Sequence, residues 1–410
     1  MQRVNSRKMG KKLYDNILLS MTTLYYVLSF ISDSLPGGQF LTIAPLFVML
    51  LLYLKKNSFK LKLYAGLYFL YLIAFLAFCM LSRLWAQNSQ LAVPKINSLL
   101  IILAAMIVIV ACIYSKRDVD FLLKTIMYGG HIICIYVFFR YGWSGVIHLL
   151  NSNSRLSNEI LNANTLGICA SYSLVINIYY ILYDKAKPRD FLMLPAAIII
   201  IITGSRKAIG VVLLGTLGIF ILKNINNKNA LLTLLKVVGI LLTAALLLFI
   251  LSKLPVFENI TNRFRNLISL LQGNESRGTS SAWIRLAYTR LGMDLYREHP
   301  WLGIGIANAN IYTNQYYGHN HYLHNNYVEL LACGGTVGFL LYYSIWIYLI
   351  CLFLKYRKLI NREYIICFVL LFIHMIMDYG AVMYYGKATY VFLLLFWMEG
   401  DKLKRQSKKN

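Results

Sequence analysis

His324 stands where a polar, aromatic stretch (His319-Asn320-His321-Tyr322-Leu323-His324-Asn325-Asn326-Tyr327) runs into a long apolar segment. A neutral imidazole can take a proton near neutral pH, so this placement offers a general base at the mouth of a membrane helix. The plainer reading is an interfacial histidine capping the helix that follows, and spacing alone leaves both open. Nine residues separate Asn325 from Gly335-Thr336-Val337-Gly338. Two glycines on one helix face let a neighbouring backbone approach closely just below the base. His319, His321 and His324 also invite a zinc reading, because such sites often use three imidazoles. The only nearby carboxylate that could orient them is Glu329, so no metal site is assigned.

Arginine supplies the second kind of chemistry. Arg206 lies in a turn, Thr203-Gly204-Ser205-Arg206-Lys207, between two short apolar runs. An arginine so near the membrane core is costly unless it snorkels or binds an anion. The small residues beside it leave room for a ligand against the backbone. Arg285 and Arg277 lie in a long polar segment, and either could complete a diphosphate clamp. His374 and Asp378, four residues apart, are ionisable groups in or near another apolar run. They could act in the site or satisfy one another.

Composition decides what must hold these groups. The chain is 59% hydrophobic, 14% charged and carries only 16 acidic residues, which makes it a polytopic membrane protein. Its net charge of +25 comes from Lys and Arg clusters between apolar runs, the pattern that sets topology and touches anionic lipids, not one that binds nucleic acid. All seven cysteines fall in apolar segments without metal-ligand spacing and read as buried hydrophobes. Walker, Gly-x-Ser-x-Gly and His-Glu-x-x-His motifs are missing, as is an outer Asp-x-Asp. Glycosyl or phosphoryl chemistry would therefore rest on arginine and histidine, with no cofactor.

About twelve apolar runs are long enough to be read as spans. They centre on residues 14–32, 39–54, 62–82, 97–115, 119–139, 161–183, 190–204, 207–222, 230–252, 326–354, 363–380 and 385–400. The seventh and eighth form a tight hairpin at Gly204-Ser205. The expected fold class is an all-α polytopic membrane protein with one large extracytoplasmic loop. Helices 1–9 occupy residues 1–252, the loop 253–325, helices 10–12 residues 326–400, and a basic tail 401–410. The basic N-terminus, without a small-residue cleavage site, reads as a retained signal anchor. Lys55, Lys56, Lys116, Arg117, Lys185, Lys223, Lys355, Arg357 and Arg362 fall in alternate loops, which predicts that both termini are cytoplasmic. The outer loop carries six arginines and one lysine, a bias that suits planar recognition of phosphate. Within it, Ser281 to His299 is expected to form an amphipathic helix with Trp283, Ala287, Leu291 and Leu295 on one face, ended by Pro300.

Three segments together resemble the O-antigen ligase and O-antigen polymerase superfamily. Gly204-Ser205-Arg206-Lys207-Ala208 is similar to its Ser-Arg hairpin. Arg285 with His299-Pro300-Trp301-Leu302-Gly303-Ile304-Gly305 is similar to its Arg…Pro-x-x-Gly-x-Gly loop, and His324-Asn325 with Gly335 and Gly338 to its His-Asn-x9-Gly-x-x-Gly signature. Arg155 with Asn162-Ala163-Asn164 is a weaker match. Cys333 departs from the pattern, standing where relatives commonly carry an acidic residue, and Glu329 is a possible substitute.

The resemblance implies a fold of the C-type glycosyltransferase kind. It also implies a polyprenyl-diphosphate-linked oligosaccharide as donor and metal-independent, inverting transfer on the outer face of the cytoplasmic membrane. On that basis Arg206 and Arg285 would stabilise the diphosphate leaving group, and His324 would deprotonate the acceptor hydroxyl. Arg277, Asn325, Arg155, His321 and Tyr327 would contact substrate. Membrane lipids and a chain-length regulator are the expected partners. Polymerisation of repeat units is the expected activity, with ligase-type transfer of the finished glycan as the alternative. A flippase of the same lipids would instead gather its polar sites near mid-membrane. A non-enzymatic scaffold would leave glycan length insensitive to His324 and Arg206.

Overall fold

A backbone in lipid must satisfy its own hydrogen bonds, and apolar runs of this length do so as helices. The computed structural model describes residues 2–31, 38–57, 66–113, 119–151, 162–184, 187–224 and 281–409, with a few positions between 236 and 265. Among these residues the chain is helical throughout, with no strand. The helices are α1 (Gln2–Ile31), α2 (Ile43–Lys56), α3 (Leu67–Leu81), α4 (Val93–Ile113), α5 (Val119–Asn151), α6 (Ala163–Tyr183) and α7 (Met193–Thr203). They continue with α8 (Arg206–Asn224), α9 (Ser281–Glu298), α10 (Ala309–Tyr317), α11 (Asn326–Lys355), α12 (Arg362–Asp378) and α13 (Lys387–Gln406).

Six of these are long and apolar enough to cross a membrane: α3, α4, α5, α6, α8 and α11, some with a flanking turn. The chain is a multi-pass membrane protein. The other described apolar runs are helical too but shorter or interrupted by charge. α7 has 11 residues, about 16 Å at 1.5 Å per residue, against a hydrocarbon core of about 30 Å. α13 carries Lys387, Glu399, Asp401 and Lys402, yet most of it is buried, packed against α1, α4, α5, α11 and α12. The expected ninth span, 230–252, lies almost wholly outside the described residues.

α6 packs against α5, α7 and α8, and α8 packs in turn on α12. The expected hairpin between the seventh and eighth segments forms at Gly204, whose φ of 57° ends α7 in a left-handed cap. Cations collect at the far end of the bundle. There Arg362 pairs with Asp184 at 3.1 Å, Lys223 Nζ donates to the Leu182 carbonyl at 2.6 Å, and Lys402 lies 3.6 Å from Glu363.

The glycine pair in α11 acts differently from a helix-packing motif. Gly335 adopts φ 62°, ψ −167°, which breaks α11 after its first turns. The backbone that approaches it belongs to the loop after α9. A Cβ at Gly335 would sit 2.3 Å from the Trp301 carbonyl, and one at Gly303 would sit 2.5 Å from Cys333 backbone. The break frees helix groups and the loop satisfies them. Thr336 and Val337 amides donate to the carbonyls of Pro300 (2.8 Å) and Trp301 (3.1 Å), while the Ile304 and Gly305 amides donate to Ala332 and Cys333 at 3.0 Å. Gly338 faces the Phe78 ring instead. The other side of the loop is tied to the turn after α3, where Asn88 and Asn308 exchange two hydrogen bonds.

Candidate active site

The chain is clamped on both sides of His324. Asn325 Oδ1 accepts the amides of Tyr327 (3.0 Å) and Val328 (3.3 Å), so the cap of α11 is Asn325, not His324. Glu329, buried in the first turn, accepts the Leu323 amide at 2.8 Å. Between these anchors His324 is held at φ 59°, a left-handed conformation that costs a non-glycine residue about 1–2 kcal/mol. Such strain persists only where the surroundings impose it, and it clusters at functional sites. The ring stacks on Tyr288 of α9, with centroids 6.0 Å apart and planes 2° from parallel, and Tyr322 packs at 4.4 Å.

α9 forms over Ser281–Glu298 as the spacing predicts, with Ala287 and Leu295 buried on its inner face. Tyr288, which the spacing did not single out, is buried with them. Gly292 lets α9 lie on Leu323 and Val328, where a Cβ would come within 2.6 Å of both. That contact brings Arg285 to the same cavity as His324.

The cavity holds about 340 Å³. Its wall takes Lys207 from α8, Arg285 from α9, Tyr322 and His324 from the loop, Asn162, Asn164 and Thr165 from the start of α6, and Gly380 to Thr389. Three basic side chains line it (Lys207, Arg285 and Lys387), and among the described residues no Asp or Glu does. Burial, then the positive charges of Arg285 and Lys207 together with His321, pushes the His324 imidazole down to about 4. At neutral pH it is therefore the unprotonated form, the form a base needs. Tyr322 is pushed up to about 12, chiefly by burial.

Asn326 fixes the opposite wall. Its amide donates to Tyr343 Oη (2.9 Å) and Asp378 Oδ2 (3.0 Å), and its Oδ1 accepts the Met383 and Tyr384 amides at 2.9 and 3.1 Å. Tyr343 Oη also donates to Asp378 at 2.9 Å. The pairing of His374 with Asp378 suggested by their spacing is not made: Asp378 serves Asn326 and Tyr343, while His374 stacks on Trp346 at 5.1 Å. Asn326→Leu keeps the branched shape, takes the acceptor from the Met383 and Tyr384 amides and leaves the Asp378 carboxylate with Tyr343 as its remaining donor. We expect it to cost about 3–5 kcal/mol, read as a lower midpoint of thermal unfolding in detergent.

The structure sorts the residues singled out from sequence. His324 and Arg285 line the cavity. Arg206 is half-buried at the start of α8 and lies within electrostatic reach of Lys207, the side chain that forms the wall. Tyr327 turns away, donating to the Met375 carbonyl at 2.7 Å and stacking on Tyr343. His321 is exposed, its ring centroid 6.1 Å from that of His324. Among the described residues no group of three His, Cys, Asp or Glu is placed to hold a metal ion. Arg155 and Arg277 lie outside the described residues. Lys207, Lys387 and Tyr322 were missed as site residues. Lys207 had a signal, since it follows Arg206 in the same hairpin motif; Lys387 had none.

Residues 191–343 match the family model described as O-antigen ligase. Over that segment, a little over a third of its length, the chain is similar to the O-antigen ligase family. No curated protein matches the chain. The O-antigen ligase segment holds the hairpin, α9, the Pro300–Gly305 loop and the break in α11, and with them Lys207, Arg285 and His324. The rest of the cavity wall, from α6 and from residues 380–389, lies beyond it.

Proposed function

We propose that this protein polymerises polyprenyl-diphosphate-linked oligosaccharide repeat units into a surface polysaccharide. The transfer takes place on the outer face of the cytoplasmic membrane, with the cation-rich end of the bundle inside. The family match points to a membrane glycosyltransferase acting on lipid-linked glycan. The observation that carries the reading is His324, held in strained backbone and sharing one cavity with Lys207 and Arg285.

In the proposed reaction, His324 takes the proton of an acceptor hydroxyl as its oxygen bonds to the anomeric carbon. The bond from that carbon to the phosphate oxygen breaks on the opposite face, inverting the centre. The lipid diphosphate leaves with the electron pair. Lys207 and Arg285 meet the charge that develops on it, and Arg206 adds to the same field. Lys207 and Arg285 in the cavity wall are placed to meet that charge directly. Asn325, His321 and Tyr327 take supporting or peripheral roles, while Arg277 and Arg155 keep the substrate-contacting role proposed from the sequence.

Arg285→Ala should lower the transfer rate about 10²–10³-fold, the usual cost of removing one such donor. Arg285→Lys should recover only part of it, since an ammonium cannot grip two phosphate oxygens in a plane. Rates of lipid-linked chain elongation in membranes check both.

The family description favours a second reading, a ligase that passes the finished glycan to another acceptor. The donor half of the site serves both activities, so the test separates them. Cells lacking the gene are complemented with wild type, His324→Ala or Arg206→Ala at matched membrane levels. Single lipid-linked repeats in the variants, against long chains in wild type, support the polymerase. Long chains that stay on the carrier support the ligase, and identical glycans remove the catalytic assignment.

A further inference from the structure

Beneath the cations, the cavity has a floor that the proposed reaction does not use. It is made by Tyr172 of α6, His374 of α12 and Phe392 of α13. Tyr172 and His374 are each 2% exposed. Neither the Tyr172 hydroxyl nor either ring nitrogen of His374 has a hydrogen-bond partner among the described residues. Their rings lie 6.3 Å apart, and His374 is locked between Trp346 at 5.1 Å and Phe392 at 5.4 Å. Buried donors without partners are costly, and a protein keeps them where a ligand completes them.

The surroundings say what kind of ligand. Carboxylates are the usual strong acceptors for sugar hydroxyls, and among the described residues this wall has none. It offers donors and cations, with the apolar side chains of Phe30, Ile168 and Phe392 alongside. That combination suits a phosphate carrying a hydrocarbon chain. His374 also sits one helical turn before Asp378, the last residue of α12.

We propose that Tyr172 and His374 form the lipid-side half of the diphosphate site, donating hydrogen bonds to the phosphate that bears the prenyl chain. This rests on the glycosyl-transfer reading above. Lys207 and Arg285 then hold the sugar-side phosphate, next to His324. Two neutral donors on the inner phosphate hold the leaving group in place without adding charge inside the membrane.

The test uses the full-length protein in nanodiscs with farnesyl diphosphate and inorganic diphosphate as probes. Tyr172→Phe keeps the ring, His374→Phe keeps an aromatic ring in the stack, and both remove the orphan donors. Each variant should bind farnesyl diphosphate about tenfold more weakly and the double variant about a hundredfold, while inorganic diphosphate changes less. Both should unfold at a temperature equal to or above wild type, because a buried unpaired donor has been removed. Unchanged farnesyl diphosphate affinity in both variants overturns the assignment, as does a lower unfolding temperature with unchanged affinity, the mark of a structural role. If Arg285→Ala weakens farnesyl diphosphate and the floor variants do not, the floor is wrong and the active site stands. If wild type binds neither probe, both fall.

Discussion

His324→Asn is expected to abolish chain growth and leave the protein folded. Asparagine tolerates the left-handed backbone at this position, where φ is 59°. The capping contact of Asn325 and the clamp from Glu329 to the Leu323 amide do not involve the lost ring. What disappears is the base and its stacking on Tyr288. The transfer rate should fall about 10²–10⁴-fold, the range for a positioned general base. The unfolding midpoint should stay within a few degrees of wild type, about the effect of a 1 kcal/mol change. Elongation and thermal unfolding measured on one preparation check both halves.

The same residue sets the pH dependence. Burial and the nearby cations depress the imidazole to about 4, so a base that must be unprotonated stays competent well below the ordinary value of 6.5. As pH falls, kcat/KM should hold until it nears 4, because that ratio reports the free enzyme. A bound diphosphate offsets the charges of Arg285 and Lys207 and raises the imidazole. The acid limb of kcat should therefore lie at higher pH than that of kcat/KM. An acid limb of kcat/KM at 6.5 would show that His324 is solvated in the working enzyme or is not the base.

Gly335→Ala should be a severely damaging single-methyl change. The added Cβ would meet the Trp301 carbonyl carbon and oxygen at 2.3 Å, and the backbone would keep a φ of 62° that alanine disfavours. Neither side can yield cheaply, because the Pro300 and Trp301 carbonyls satisfy the amides that the break exposes. Strain and overpacking together should cost about 3 kcal/mol or more. Gly338→Ala meets only the Phe78 ring, at 2.6 Å, and a side chain can rotate; about 1 kcal/mol is expected there. Unfolding midpoints of the two variants in detergent give the comparison. Equal losses would mean that the loop and the helix break do not support one another.

Much of this arrangement could be read from residue order. The His324 loop, the Gly204 hairpin and the Pro300–Gly305 return each have a local cause in histidine, glycine or proline at a fixed offset, and each stands where it was expected. The role of Gly335 was only half legible. A close backbone approach followed from the glycine, but its source in a loop rather than a helix depends on a helix break that periodicity does not show. Partner choice was less legible still. Asn325 and Asn326 are adjacent and chemically alike, yet one caps α11 and the other ties it to Asp378 and to the 383–384 backbone, 52 to 58 residues away. Lys207 lines the cavity and Arg206 stands beside it because of the rotation of α8 against α6 and α12, which no local pattern encodes. The orphan donors of Tyr172 and His374 emerge only when three helices meet.

The account stands or falls on whether this cavity performs glycosyl transfer without metal. The measurement is elongation of purified lipid-linked repeat units by the protein in liposomes, with a chelator present throughout, for wild type, His324→Asn and Arg285→Lys. Chain growth with release of lipid diphosphate by wild type, absent with His324→Asn and reduced with Arg285→Lys, is the result expected. Growth by His324→Asn at the wild-type rate, or by wild type only after a divalent metal is restored, would contradict it.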